Sequence, residues 1–372
     1  MKIGIDSRAA KWYRGTGIGT YSYQLINSLN KIDKFNDYLL FMPNNSCCDV
    51  NFNSNFSIRN ITQDMQGNFW DEVNIPNILK SEDIDIYHVP QNGIGLPNEK
   101  TCPFVITLHD IIPYKMPETV GERYLEIFLR EMPKIIPLCD GIITVSNYSK
   151  QDIVKAFNFP EEKIFVTHLA NEDIYVPLKK SYCKDFIAKY YSIEDDFILY
   201  VGGFSPRKNI VGLIQAYSKL KAKNTKLVIV GSQGKSYNLY KSTAEKYNVS
   251  NDVIFPGFIP LEHMPIFYNA ARLFVYPSLY EGFGLPPIEA MACGTPIIAS
   301  NTTSVPEVVK DAGILINPYD IDELTKSMEK VLEDSSLRKE LINKALLRSS
   351  EFSWLKTAKT TLDAFKTIAK KD

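Results

Sequence analysis

Leu273-Phe274-Val275-Tyr276-Pro277-Ser278-Leu279-Tyr280-Glu281-Gly282-Phe283-Gly284-Leu285-Pro286-Pro287-Ile288-Glu289-Ala290-Met291-Ala292-Cys293-Gly294-Thr295-Pro296 decides the fold. A short apolar run, Leu273–Tyr276, ends in a turn with two glycines. A helix over 286–292 follows, and a second apolar run opens at Pro296. Prolines suit the first turn of a helix, where a missing N–H costs little. Strand, turn, helix and strand in that order make the repeating unit of a parallel sheet covered on both faces.

Outward from that stretch the same alternation recurs over the whole chain. Earlier strands are expected at Lys2–Asp6, Tyr38–Met42, Ile84–Val89, Phe104–Leu108, Gly141–Val145 and Ile164–His168, with helices near 18–31, 69–80, 118–136 and 147–157. Later strands are expected at Phe197–Val201, Lys226–Val230, Val253–Phe255, Leu273–Tyr276, Pro296–Ala299 and Gly313–Ile316. Helices near 208–222, 237–247, 286–292, 321–333 and 335–349 lie among them, and Trp354–Lys371 is helical after a break at Phe352-Ser353. At 372 residues the chain has room for two domains. The join falls in Asn171–Asp196, giving an α/β protein of two Rossmann-like, doubly wound domains over 1–175 and 176–353, with a terminal segment over 354–372. Such sheets bind ligands beyond the carboxyl ends of their strands, so an interdomain cleft is the expected site.

Three turns have the composition of a ligand site. In the first, Gly282 and Gly284 allow close approach to a helix N-terminus, whose amides suit an anion or a hydroxyl-rich ligand. Glu281 stands before that helix and Glu289 within it, so the two carboxylates can face one ligand from different heights. An acidic residue near a helix start also complements the helix dipole. The second is Val201-Gly202-Gly203-Phe204-Ser205-Pro206-Arg207-Lys208-Asn209. Two cations at a helix start oppose the dipole, so helix stability does not explain them; a diphosphate does, as does a solvated turn. The third, Gly15-Thr16-Gly17-Ile18-Gly19, follows the first strand without the spacing of the dinucleotide fingerprint, though its backbone can approach phosphate.

Other residues are less specific. His109 ends a strand in Leu108-His109-Asp110, where a lone histidine is commonly a structural hydrogen-bonder. Ser146 reads as an N-cap. Asp83-Ile84-Asp85 has the D-x-D form but leads into a strand, so it reads as a solvated turn. His88, His168 and His263 lack ligand-spaced partners, and no G-x-S-x-G elbow is present.

Composition removes several classes. Forty-two Lys+Arg against 43 Asp+Glu give a formal charge of −1, so no net positive field attracts a nucleic acid. Six cysteines at 47, 48, 102, 139, 183 and 293 form no C-x-x-C pair, which suits the reducing cytosol. No apolar run is long enough to span a bilayer, and Met1–Asp6 meets charge too early for a signal peptide and reads as a first strand.

Taken together, these motifs resemble the retaining glycosyltransferases of family 4, which have the two-Rossmann GT-B architecture. The likeness covers the Gly-Ile-Asp-Ser-Arg opening, Gly15–Gly19, His109-Asp110, Thr144–Ser149, Gly202–Asn209 and Glu281–Pro296, with Glu281 and Glu289 as its E-x7-E element. The resemblance implies that Glu289 holds the ribose of a sugar nucleotide. It implies that Glu281 and the amides after Gly282, on Phe283, Gly284 and Leu285, face the donor sugar and its phosphate. By the same likeness Arg207 and Lys208 neutralise the departing diphosphate, and a loop over Gly17–Gly19 closes on the phosphates. His109 touches the transferred sugar, Gly231 and Phe258-Ile259 flank the base, and the Trp354–Lys371 helix crosses back to the first domain.

Many relatives carry an arginine directly after the glycine that ends the first strand of the second domain. Here Gly203 or Phe204 stands there, which leaves that task to Arg207. No metal or other cofactor is implied, because side chains and dipoles supply the positive charge. The opening, Gly-Ile-Gly-x-Tyr and His-Asp-Ile-Ile-Pro resemble bacterial mannosyltransferases of surface polysaccharides, which points to GDP-mannose as donor. UDP-glucose or another hexose donor stays open, as do a sugar-nucleotide epimerase and a non-catalytic sugar-nucleotide binder. The acceptor, a saccharide or lipid-linked saccharide, would meet variable loops such as 43–68 and 111–123. A cytoplasmic protein is expected, and a lipid-linked acceptor would bring it to the inner membrane face as a peripheral protein.

Overall fold

The computed structural model describes residues 1–42, 50–60, 79, 82–221, 225–231 and 236–370. The chain forms two compact units: Met1–Leu169 together with the segment from Ser353, and Ala170–Phe352.

The first unit is built on β1 (Lys2–Asp6), β2 (Asp37–Met42), β3 (Phe56–Asn60), β4 (Ile86–Val89), β5 (Phe104–Thr107), β6 (Gly141–Thr144) and β7 (Ile164–Val166). They pair in the order β3-β2-β1-β4-β5-β6-β7, every pair parallel. The second unit holds β8 (Phe197–Val201), β9 (Lys226–Val230), β10 (Val253–Ile254), β11 (Leu273–Tyr276), β12 (Ile297–Ser300) and β13 (Ile314–Ile316). Their order is β10-β9-β8-β11-β12-β13, again all parallel. Both sheets therefore reverse direction of growth at one point, between β1 and β4 and between β8 and β11, as in the doubly wound fold. Central strands such as β5 and β11 are buried along their whole length, which is why they read as unbroken apolar runs rather than as alternation.

The terminal helix Trp354–Ala369 belongs to the first unit. Ser353 caps it by accepting from the Lys356 amide at 3.1 Å. Trp354, Ala358, Leu362 and Phe365 form a buried stripe at helical spacing. Phe365 meets the His88 ring edge-on at 5.2 Å, and Trp354 approaches Tyr21 at 6.3 Å.

Several expected boundaries move. The helix expected from 118 starts at Glu122, because Pro117–Thr119 forms a tighter turn first and Val120 is extended. The helix expected over 208–222 runs Ile210–Ser218, since Asn209 adopts a left-handed conformation (φ 55°) that cannot continue a helix. The strand expected to reach His168 ends at Val166, and the terminal helix ends at Ala369. The stretch 43–68, read as a variable loop, contains β3. Within 111–123 the chain makes a short helix, Ile112–Lys115, and the turn at 117–119. The helix expected near 69–80 lies outside the described residues apart from Leu79.

Candidate functional site

The loops that leave β8 and β11 come together in the second unit, where its strand order reverses. After β8 the chain passes Gly202 and Gly203 and makes a single tight turn, Pro206–Lys208. Asn209 then turns left-handed and donates to the Pro318 carbonyl at 2.7 Å. Arg207 and Lys208 thus sit on the turn ahead of the helix, not inside it. After β11 the Leu279 amide donates to the Arg207 carbonyl at 2.7 Å, locking one loop to the other.

The two cations converge on one carboxylate. Lys208 Nζ is 2.6 Å from Glu281 Oε1, and Arg207 Nη1 is 3.0 Å from Oε2. Lys208 also donates to the Tyr276 hydroxyl at 2.9 Å, and its ammonium lies 5.1 Å from that ring's centre. Arg207 donates to the Tyr280 carbonyl at 3.1 Å. Burial would raise the Glu281 carboxyl, but the adjacent Lys208 and Arg207 outweigh it and hold it at about 2. The loop is pinned as well: the Glu281 amide donates to Thr303 Oγ1 at 3.1 Å, and Ser304 Oγ donates to the carbonyls of Glu281 (2.8 Å) and Phe283 (3.1 Å). Two cations against one carboxylate leave the cluster with a net positive charge.

The helix Leu285–Ala292 begins at Gly284, which has φ 111° and so needs a residue without a Cβ. Pro286 and Pro287 carry no N–H, so the amide of Leu285 is what the first turn can offer an anion. Glu289 lies one turn further on and is partly exposed. Tyr268, fully buried on the helix Met264–Ala270, donates to Glu289 Oε2 at 2.8 Å. Burial first, together with the Glu172 charge, lifts the Glu289 carboxyl to about 7, although the Tyr268 and Tyr175 hydroxyls act the other way.

Gly231 follows β9 beside Gly202; a Cβ on Gly231 would collide with the Gly202 carbonyl and the Phe204 ring. A Cβ on Gly203, by contrast, would meet open space. Phe258 is 79% exposed while Ile259 is buried, so their turn offers one free aromatic face.

In the first unit Gly17–Gly19 is not a loop. It is the first turn of the helix Gly17–Ile32, and the Gly19 amide donates to its cap, Thr16 Oγ1, at 3.2 Å. Gly19 is needed because a side chain there would strike the Tyr13 carbonyl. His109 follows β5, and its Nε2 donates to the Pro90 carbonyl at 2.9 Å while its amide donates to Asn92. Burial pushes the ring down to about 4, so at neutral pH it is uncharged, with Nδ1 as its acceptor atom.

Sequence reasoning missed several residues here. The motifs single out neither Tyr276, whose hydroxyl accepts from Lys208, nor Tyr268, whose hydroxyl donates to Glu289. Asp6, the last residue of β1, and Arg8 just beyond it are both buried and form an ion pair at 2.7 Å, and Gln91 after β4 donates to the same Asp6 oxygen at 2.5 Å. These loops flank the reversal point of the first sheet. Among the described residues no group of three or more His, Cys, Asp or Glu could hold a metal, and no helix is long and apolar enough to cross a membrane.

Comparison with known proteins gives this geometry a family. The model of glycosyl transferases group 1 matches residues 185–348, and that of glycosyltransferase family 4 matches residues 16–170. O-antigen chain mannosyltransferase B of Escherichia coli is 36% identical over 289 residues, covering 76% of this chain and 74% of that protein. Among solved structures, a sucrose-phosphate synthase from Thermosynechococcus elongatus superposes with TM-score 0.77 at 20% identity, covering 99% of this chain and 98% of that one. The Anabaena protein HepE, solved in complex with UDP and glucose, gives TM-score 0.74 at 17% identity, covering 99% and 100%. The fold is the GT-B arrangement of two Rossmann-like units, and the chain belongs to the family-4 glycosyltransferases.

Proposed function

We propose that this enzyme transfers mannose from GDP-mannose to a saccharide or lipid-linked saccharide acceptor, with retention of anomeric configuration. The observation that carries the catalytic part is the convergence of Lys208 and Arg207 on Glu281 at the reversal point of the second sheet. The likeness to an O-antigen mannosyltransferase supports the choice of sugar.

Breaking the anomeric C–O bond puts growing negative charge on the departing diphosphate and positive charge on the sugar ring. Lys208, Arg207 and the Leu285 amide are fixed donors for that charge, and each such donor is worth about 3–4 kcal/mol by the oxyanion-hole precedent. Because Glu281 holds the cations in place beforehand, little reorganisation accompanies bond cleavage. The acceptor hydroxyl enters on the leaving-group face, and the diphosphate takes its proton, which gives retention. Glu289 accepts from the ribose hydroxyls, Gly231 and the Phe258-Ile259 turn border the base, and His109 Nδ1 accepts from a sugar hydroxyl. The same cations serve the reaction without a metal. A lipid-linked acceptor would place the protein at a membrane surface.

A thermal-shift panel of GDP, UDP, dTDP and ADP tests the donor: GDP should raise the melting temperature most, since at equal concentration the tighter ligand stabilises more. Stabilisation by UDP and not GDP would redirect the assignment to a UDP-hexose. Incubation with labelled GDP-mannose and a mannose-terminated oligosaccharide tests the reaction. A labelled α-linked product supports it; an interconverted sugar nucleotide points to an epimerase, and saturable binding without turnover to a binder.

A further inference from the structure

We propose that Tyr268 is a positioning residue for nucleotide recognition, holding the Glu289 carboxylate in the orientation that receives the ribose hydroxyls. This rests on the ribose assignment of Glu289 made above.

Tyr268 has no route to a ligand itself, being fully buried. Its ring is fixed by an edge contact with Phe274 at 5.4 Å and another with Tyr175 at 5.8 Å. Its carbonyl accepts from Thr295 Oγ1 at 2.7 Å, so the backbone is tied down as well. The hydroxyl then delivers one hydrogen bond, 2.8 Å long, to Glu289 Oε2. Burial keeps this phenol protonated far above neutral pH, so it acts as a donor throughout the working range. A glutamate on a helix surface has several rotamers, and fixing one before the ligand arrives removes an ordering cost from binding.

The next residue extends the device. Asn269 donates from Nδ2 to the Val176 carbonyl at 2.9 Å and accepts from the Leu178 amide at 2.7 Å. This clamps the segment that carries Glu172 and Tyr175 against the same helix. Four titratable groups therefore surround the Glu289 carboxyl: Glu172 and Tyr175 from that segment, Tyr268 from its helix, and Cys293 at the end of Glu289's own helix. Glu172 opposes ionisation of Glu289, whereas the two phenols favour it.

The test uses the nucleoside diphosphate that stabilises the protein in the panel, GDP on the present reading, and its 2′,3′-dideoxy analogue. Affinities are measured by calorimetry for the wild type, Glu289→Ala and Tyr268→Phe across pH 5.5–8.5. Phenylalanine keeps the ring packing, and an unchanged affinity for the dideoxy analogue confirms an intact phosphate site. The wild type should prefer the ribonucleotide, Glu289→Ala should abolish that preference, and Tyr268→Phe should weaken it about tenfold, as for loss of a hydrogen bond to a charged group. Losing that donor should also move the pH midpoint of the preference upward. If Glu289→Ala keeps the preference, the ribose assignment fails and takes this proposal with it. If Glu289→Ala loses it while Tyr268→Phe keeps both preference and midpoint, the positioning role alone is wrong.

Discussion

Lys208 Nζ lies 2.6 Å from Glu281 Oε1 with both side chains buried, so the lysine charge is paired before any ligand arrives. The second oxygen of the same carboxylate is taken by Arg207. Glu281 therefore acts as the anchor of a cationic cluster, orienting both cations while cancelling only part of their charge. A burial of this kind is unfavourable for stability when either partner is lost.

Replacing Lys208 by Ala should lower turnover about 10²-fold or more, since one group that stabilises developing charge is removed. The fold should survive, because Arg207 still balances Glu281. Steady-state kinetics with circular dichroism checks this. Near-normal turnover would contradict the assigned role.

Glu281→Gln should destabilise the second unit at neutral pH by about 3 kcal/mol, because the buried Lys208 and the half-buried Arg207 lose their counter-charge. The Glu281 carboxyl is depressed from 4.5 to about 2. Its stabilising contribution is thus complete above 4.5 and is lost as the pH falls toward 2. Denaturation of wild type and variant should show a gap that narrows over that interval. A gap independent of pH would count against the pairing.

Glu289 titrates with the opposite sign. Its carboxyl is raised from 4.5 to about 7, so its contribution is intact below 4.5 and is lost as the pH rises through 7. Glu289→Gln should therefore melt higher than wild type at pH 8.5, with the advantage disappearing by pH 4.5. Parallel melting curves across that range would mean that folding does not raise the carboxyl.

Asp6 and Arg8 give a prediction for the first unit. Both are fully buried, and Arg8→Met should cost about 3–5 kcal/mol by stranding Asp6. Asp6→Asn combined with Arg8→Met should recover part of that loss, and the double-mutant cycle measures the coupling. Additive losses would show that the two do not depend on each other.

Much of the fold was legible because parallel strands buried on both faces leave an unmistakable apolar run. Phe197–Val201, Lys226–Val230 and Leu273–Tyr276 have the bounds their sequence suggests. β3 was hidden: four of its five residues are exposed, so Phe56-Ser57-Ile58-Arg59-Asn60 has no apolar run to reveal it. Gly17–Gly19 reads as a loop yet opens a helix, because glycine serves more than one purpose. Gly19 is required by the close passage of the Tyr13 carbonyl. In the second unit Arg207, Lys208 and Glu281 stood out by charge placed beside glycines. Tyr268 and Tyr276 did not, since a buried tyrosine that orients a glutamate has the same sequence signature as one that only fills the core. Separating those roles requires knowing where the hydroxyl points.

A crystal structure with bound GDP-mannose tests the central claim most directly. The diphosphate should lie within hydrogen-bond distance of Lys208 or Arg207 and of the Leu285 amide, with the ribose hydroxyls on Glu289. A nucleotide bound away from both Lys208 and Glu289 would contradict it.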